Sequence, residues 1–257
     1  MVAEFELTKG NRLRLARAFR HCPRVDLSID CVVEGQMGSA FVDDPREPTA
    51  FRVSQGSFYY FAGEARSVAG REMMGSLLPS ALLMPSPPEW IEVAKEVYGA
   101  GLQELGRYSF SSVGLSLQHL ERLLSQSRFR DAIRPIDGTL AAQFRGEKEG
   151  LIDLSMFDSA ADFVARGVGF YLPAEGNVAA AAYSSLVCSK GIEVSIFVRP
   201  EYRQCGLATA LGCRLAIHCL ERGLEPHWDA ANLESCRLAE RLGYRRSGTY
   251  LAYYREE

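Results

Sequence analysis

The run Val194-Ser-Ile-Phe-Val-Arg-Pro-Glu-Tyr-Arg-Gln-Cys-Gly-Leu-Ala208 constrains the fold more than any other part of the chain. It reads as an apolar strand, a tight polar turn and the opening of a helix. A helix entered through such a turn leaves backbone N–H groups unpaired at its N-terminus. Those donors and the positive end of the helix dipole suit a diphosphate. Gly206 has no side chain, so phosphates can come close to the backbone, and Ala208 keeps the first turn narrow. The run therefore predicts a strand feeding a helix that binds a phosphorylated cofactor.

Two common phosphate loops are excluded. The chain has no Gly-x-x-x-x-Gly-Lys-[Ser/Thr], and no Gly-x-Gly-x-x-Gly opens a helix. Downstream, Leu207, Leu211 and Leu215 recur one turn apart with Ala208 and Ala216 beside them, a core-facing helical stripe. Gly223 reads as the left-handed residue that ends this helix. Pro226-His-Trp-Asp229 reads as a short strand, and Asn232 leads a second helix that closes at Leu242-Gly-Tyr244. Arg245 to Tyr254 reads as a last strand pair.

In that setting Arg203-x-x-Gly206-x-Ala208 resembles motif A of the GNAT (GCN5-related N-acetyltransferase) superfamily, and the Asn232-led helix resembles its next motif. Within the superfamily, Ile192-Glu193-Val194, Gly206-Leu-Ala-Thr209, Pro226-x-Trp-Asp229 and Ser235-x-x-x-Ala239-Glu-x-Leu-Gly-Tyr244 are similar to the zwittermicin A resistance-type acetyltransferases. The resemblance covers roughly residues 130–257. It implies a mixed α/β (α+β) chain with a GNAT acetyl-CoA-binding catalytic domain over 128–257. Residues 1–127 are then a smaller α+β domain of unknown role, which by fold analogy alone reads as a degenerate GNAT-like lobe.

Composition excludes several partners. A net charge of −3 and a pI of about 5.9 argue against nucleic acid and acidic membranes. No apolar run approaches the roughly 20 residues of a membrane span, and the N-terminus lacks the pattern of a signal peptide. The seven cysteines include no Cys-x-x-Cys pair, and the four histidines show no metal-ligand spacing. Reduced thiols, a cytoplasmic location and no metal are expected.

Along the chain, Thr8 caps a first helix through Phe19 that Pro23 closes, and Leu27 to Val33 reads as a strand. A hairpin joins Phe51–Val53 to Phe58–Ala62 through Gln55-Gly-Ser57. Helical patterns cover Glu64 to Leu78 and Glu89 to Leu105, with a proline-rich break at 84–88. Ser116 caps a helix through Leu124, and Ala132 to Ile136 reads as a strand. Thr139–Phe144 and Ser159–Ala165 read as helices. Gly169–Leu172, Val178–Ser184 and Ile192–Val198 read as antiparallel strands, with turns at Glu175-Gly-Asn177 and Ser189-Lys-Gly191.

The resemblance implies acetyl-CoA as co-substrate and transfer of its acetyl group to a primary amine of a small molecule or peptide. Such an amine must lose a proton before it attacks, and a Glu acting through water is a common base. Glu193 is the candidate. Ile192, Val194, Ile196 and Val198 share one face of its strand, leaving Glu193, Ser195 and Phe197 on the other. Partial burial there would raise its pKa; its other reading is a solvated strand-end charge or the partner of a nearby Arg. By resemblance, Phe197 and Val198 offer backbone groups to the pantetheine arm. Arg203, Gln204, Cys205, Gly206, Leu207 and Ala208 hold the pyrophosphate, with Thr209 beside them, and Arg203 adds charge-assisted contacts. Asn232 and Ser235 sit at the thiol end, which puts Asn232 with Glu193 among the catalytic candidates; Asn232 also suits a helix cap. Asp229 either binds the substrate amine or starts the turn toward Asn232.

Two positions depart from the pattern. Where many GNAT enzymes carry a Tyr acid, this chain has Ala239, so the acid is unassigned. Where the loop commonly carries Gly, it has Gln204, followed by Cys205 at a helix N-terminus, a setting that favours the thiolate. A non-catalytic acyl-CoA sensor or interaction module is the alternative function. Transfer to an oxygen or to a protein amine, and assembly as a homodimer, are left open.

Overall fold

The computed structural model describes residues 2–79, 81–146, 152–174 and 176–255. Contacts divide the chain into two units, Met1–Arg107 with Thr249–Glu257, and Tyr108–Gly248.

In the first unit, β1 (Ala3–Glu4) leads to α1 (Lys9–Ala18), which begins where the Thr8 hydroxyl accepts the Asn11 N–H at 3.3 Å. α2 (Ser28–Val33) follows. β2 (Ser39–Val42), β3 (Ala50–Gln55) and β4 (Phe58–Gly63) form an antiparallel meander. α3 (Val68–Gly75), β5 (Leu82–Leu83) and α4 (Pro88–Tyr98) follow, and β6 (Leu102–Ser111) leaves this unit, its residues from Tyr108 onward belonging to the second. β4 shows why this sheet is covered on both faces. Tyr60 and Ala62 pack with Leu15, Ile29 and Val32 of the first two helices, while Phe61 packs with Met73, Met74 and Trp90 of the next two. Period-two alternation thus feeds two cores from one strand.

In the second unit, the Ser116 hydroxyl caps α5 (Leu117–Ser125) by accepting from the His119 N–H. β7 (Arg134–Pro135), α6 (Gly138–Gly146) and α7 (Ala160–Arg166) come next. Then follow β8 (Gly169–Ala174), β9 (Asn177–Val187), β10 (Gly191–Val198), α8 (Leu207–Leu220) and β11 (Glu225–His227). β12 (Asp229–Ala230), α9 (Leu233–Leu242) and β13 (Arg245–Arg255) end the chain, and β13 returns it to the first unit beside β5. The five-stranded sheet has the order β11-β10-β9-β8-β7. Only β10 and β11 are parallel. Leu207, Leu211 and Leu215 of α8 pack on Ile192, Val194, Ile196 and Val198 of β10, the predicted apolar face. None of the described helices is long and apolar enough to cross a membrane.

The mixed α/β fold agrees with the sequence, and several local expectations are corrected. Leu27–Val33 is not a strand; α2 begins where Asp26 accepts the Ser28 N–H at 2.8 Å. Ile29 and Val32, three apart, both reach the core, so a helical period was hidden in a short apolar run. The helix expected through Leu105 stops at Tyr98 because Gly99 takes φ +54°, and β6 begins at Leu102. The helix expected over Glu64–Leu78 is confined to α3, capped by Ser67. Ala132 lies in a 3₁₀ turn, leaving only Arg134–Pro135 as strand. Pro226–Asp229 is interrupted at Trp228, and Arg245–Tyr254 is one long strand rather than a pair. In the turn expected at Glu175-Gly-Asn177, Glu175 lies outside the described residues.

Candidate active site

β10 and β11 separate like the arms of a V. They pair at Gly191↔Glu225, Ile192↔Pro226 and Glu193↔His227 and no further. Beyond Trp228, Asp229 and Ala230 pair instead with Ser109 and Tyr108 of β6. On its other side β10 stays paired with β9 as far as Val198↔Ala180. From Val194 onward no described strand pairs along the second edge of β10. The Arg199 N–H donates to the Ala179 carbonyl at 2.9 Å, so alternation turns the backbone groups of Ser195 and Phe197 toward β9. Those of Val194, Ile196 and Val198 then face the open edge. Such a row of unpaired amides is a template for an extended, amide-bearing arm. Phe197 gives its side chain, not its backbone, to the space beside the strand.

The loop predicted to hold a diphosphate follows the open strand directly. Arg203 is extended at φ −65°, ψ 158°, and Gln204 is left-handed at φ +59°. Gly206, at φ +88°, caps α8. No side chain caps this helix, and its first backbone bond runs from Ala210 N to Gly206 O at 3.1 Å. The N–H groups of Leu207, Ala208 and Thr209 are therefore the orphan donors of the first turn. A Cβ on Gly206 would meet nothing within 4 Å, so the loop is open at that residue. Arg203, Gln204, Cys205 and Gly206 are exposed, while the Leu207 side chain is buried and anchors the loop to the core. A helix N-terminus built this way is a cradle for phosphate oxygens. Cys205 is the exposed thiol of the seven.

On the face of β10 away from α8, Glu193 is 8% exposed. Its Oε2 lies 2.9 Å from His227 Nδ1 across the last β10–β11 pair. The two side chains thus face one another, mostly buried, at the root of the V. Tyr183 of β9 stands opposite Ser195 in the same layer, and its oxygen accepts the Asp153 N–H at 3.1 Å. Burial raises the Tyr183 phenol above its ordinary value and keeps it protonated. Tyr244, fully buried, donates to the Pro226 carbonyl at 2.9 Å, and burial pushes its phenol well up.

Asn232 caps α9 by accepting the Ser235 N–H at 2.9 Å, and Trp228 Nε1 donates to Ser235 Oγ at 3.1 Å. Both residues thus fix the start of α9 just beyond the point where β11 leaves β10. Ala239 is fully buried among Cys236, Leu242 and Trp228, so no side-chain acid projects from that position. Asp229 lies in β12. The sequence reading missed His227 and Tyr183. His227 is the unspecified position of Pro226-x-Trp-Asp229 and Tyr183 lies outside every motif; only the strand register places them beside Glu193 and Ser195.

The family described as GNAT acetyltransferase matches residues 21–253. The uncharacterized N-acetyltransferase YdfB of Bacillus subtilis (strain 168) is 24% identical over 265 residues, covering 97% of each chain. The crystal structure of a GCN5-related N-acetyltransferase-like protein from Streptococcus suis 89/1591 superposes with a TM-score of 0.82 at 30% identity, over 95% of this chain and 98% of that one. An acetyltransferase of the GNAT family from Colwellia psychrerythraea shares the fold over 100% of both chains, at 12% identity and a TM-score of 0.52. The match reaches well before residue 130, so the half without recognisable motifs belongs to the same likeness.

Proposed function

The chain belongs to the GNAT acetyltransferase family and is an N-acetyltransferase, and on that premise we propose that it acetylates a primary amine of a small molecule or peptide by direct attack, with Glu193 as general base through water. The observation that carries this reading is the V between β10 and β11, with an uncapped helix N-terminus at the end of its open strand. The residues present fit acetyl-CoA. Arg203 through Thr209 would hold the pyrophosphate, and the edge amides of Ile196 and Val198 the pantetheine arm. Asn232 and Ser235 would lie at the thiol end.

Acetyl-CoA supplies an acyl carbon activated as a thioester. The acceptor ammonium gives a proton toward Glu193, whose carboxylate is oriented by His227. The freed nitrogen forms its bond to the acyl carbon as the carbon–sulfur bond breaks, and the second proton that the nitrogen sheds ends on the departing sulfur. No side-chain acid is assigned, since Ala239 offers none.

Isothermal titration with acetyl-CoA tests the binding half. The wild type should show saturable binding that Arg203→Glu abolishes. Glu193→Gln should bind acetyl-CoA as well as the wild type yet release coenzyme A thiol about 10²- to 10⁴-fold more slowly with an accepted amine. Binding without thiol release from any amine would instead favour an acyl-CoA sensor. No binding by the wild type would sink the assignment.

A further inference from the structure

Acyl transfer leaves one proton without a carrier in this chain. The attacking nitrogen and the departing sulfur are bonded to the same acyl carbon, so direct transfer between them closes a strained four-membered ring. One hydroxyl set between them opens that ring to six members. Such a hydroxyl belongs beside Glu193 on the side toward the phosphate loop, because the sulfur joins the acyl carbon to the pantetheine arm.

Ser195 holds that place. It shares the face of β10 with Glu193 and lies two residues nearer the loop, about 6–7 Å along the strand. Ser195 is partly exposed, whereas Glu193 and Tyr183 are buried. The register sets Tyr183 of β9 directly opposite Ser195. The Tyr183 oxygen accepts the Asp153 N–H at 3.1 Å, and the same hydroxyl bonds the Ser195 side chain. A phenol has one O–H to give. With its oxygen already accepting from the backbone, Tyr183 gives that O–H to Ser195 Oγ. A serine hydroxyl donates once and accepts twice. Tyr183 fills one accepting position; the other, and the Ser195 O–H itself, suit the reacting nitrogen and sulfur.

We propose that Ser195 is a catalytic residue of this transfer, its Oγ taking the second proton shed by the nitrogen while its own proton passes to the sulfur. An N–H and an O–H bond break as an O–H and an S–H bond form. The carbon–sulfur electron pair leaves with the sulfur, and the serine ends as it began. Tyr183 is the positioning residue that sets which way the Ser195 hydroxyl points. The proposal rests on the acyl-transfer reading and supplies the proton path that Ala239 cannot.

Thiol release from acetyl-CoA by the full chain tests this with two acceptors. Phenethylamine is protonated at neutral pH, as a lysine amine is. Hydroxylamine is not, so it needs no base before attack but sheds the same second proton. Ser195→Ala should lower kcat by about 10²-fold with both amines and leave the KM for acetyl-CoA unchanged. Glu193→Gln should recover toward the wild-type rate when hydroxylamine replaces phenethylamine, and Ser195→Ala should not. Tyr183→Phe should lower kcat in the wild type and change nothing further in Ser195→Ala. Ser195→Thr, which keeps the hydroxyl, should restore most of the rate, with melting points of all variants checked alongside. A near-wild-type rate for Ser195→Ala, a recovery with hydroxylamine as full as that of Glu193→Gln, or a Tyr183→Phe loss undiminished without Ser195 would overturn the proposal and leave acyl transfer standing. No thiol release by the wild type with either amine, or no binding of acetyl-CoA, would instead remove the reading beneath it.

Discussion

Gly206 and Gln204 both occupy the left-handed region of backbone space, yet only one of them is glycine. An L-residue there pays roughly 1–2 kcal/mol. Because a Cβ on Gly206 meets nothing, its cost is purely conformational. Gly206→Ala should therefore lower stability by about that amount and weaken acetyl-CoA binding by disturbing the turn. Gln204→Gly should relieve the same strain, less about 0.4–1 kcal/mol for the freer unfolded chain. Its melting temperature should hold or rise slightly. Thermal melts and acetyl-CoA titrations on both variants check this, and a Gln204→Gly variant less stable than Gly206→Ala would contradict it. At this scale the phosphate loop was legible because its chemistry lies in consecutive residues. Glu193 was legible as a charge inside an apolar strand. His227 was not, because its meaning arises only from a partner 34 positions earlier, across a strand pair.

At the scale of elements, the site is made by two strands that touch at one end and part at the other. Gly191 stands where they touch. A Cβ there would lie 2.0 Å from the Glu225 carbonyl oxygen and 2.5 Å from its nitrogen, both backbone atoms that cannot swing aside. Gly191→Ala should push β10 and β11 apart at the root of the V and destabilise by at least about 1–3 kcal/mol. The register of Glu193 against His227 would shift with it, so acetyl transfer should fall further than stability alone explains. Gly10 in α1, where an added Cβ meets nothing within 4 Å, serves as the contrast: Gly10→Ala should gain about 0.5–1 kcal/mol. Melting temperatures of the two variants, with thiol release for Gly191→Ala, decide it. The helix starts capped by Thr8, Ser116 and Asn232 were readable from sequence, whereas the cap at Ser67 was passed over inside a longer helical pattern. α2 and β6 were misread because their apolar residues fit more than one period over so few positions, and tertiary burial chose between them.

For the molecule as a whole, the family match from residue 21 to 253 carries information that no local pattern held. The first unit has the layered core of a covered sheet but no loop chemistry. Its membership shows in the sum of many weak positions rather than in a motif. The second unit's stability, by contrast, depends on pH through His218 on α8. Its ring packs edge-on against Phe170 at 5.6 Å, and the Arg214 guanidinium lies over the other ring at 4.7 Å. Burial first, then Arg222 and Arg214, lower the His218 pKa from its ordinary 6.5, with Glu221 opposing in part. The folded chain thus takes up this proton less readily than the unfolded chain, and the unfolded state binds more protons as pH falls through 6.5. Stability tied to His218 is complete above that pH and is lost on acidification through it. His218→Gln, which keeps the contact with Phe170 but cannot titrate, should flatten the fall in melting temperature between pH 7.5 and about 5.5, where His titrates. Arg214→Gln, which removes one of the two opposing charges, should flatten it in part. Melting curves of the three proteins across that range make the measurement. Parallel pH profiles for wild type and His218→Gln would show that the imidazole is accommodated in its charged form, and that α8 tolerates a third cation beside Arg214 and Arg222.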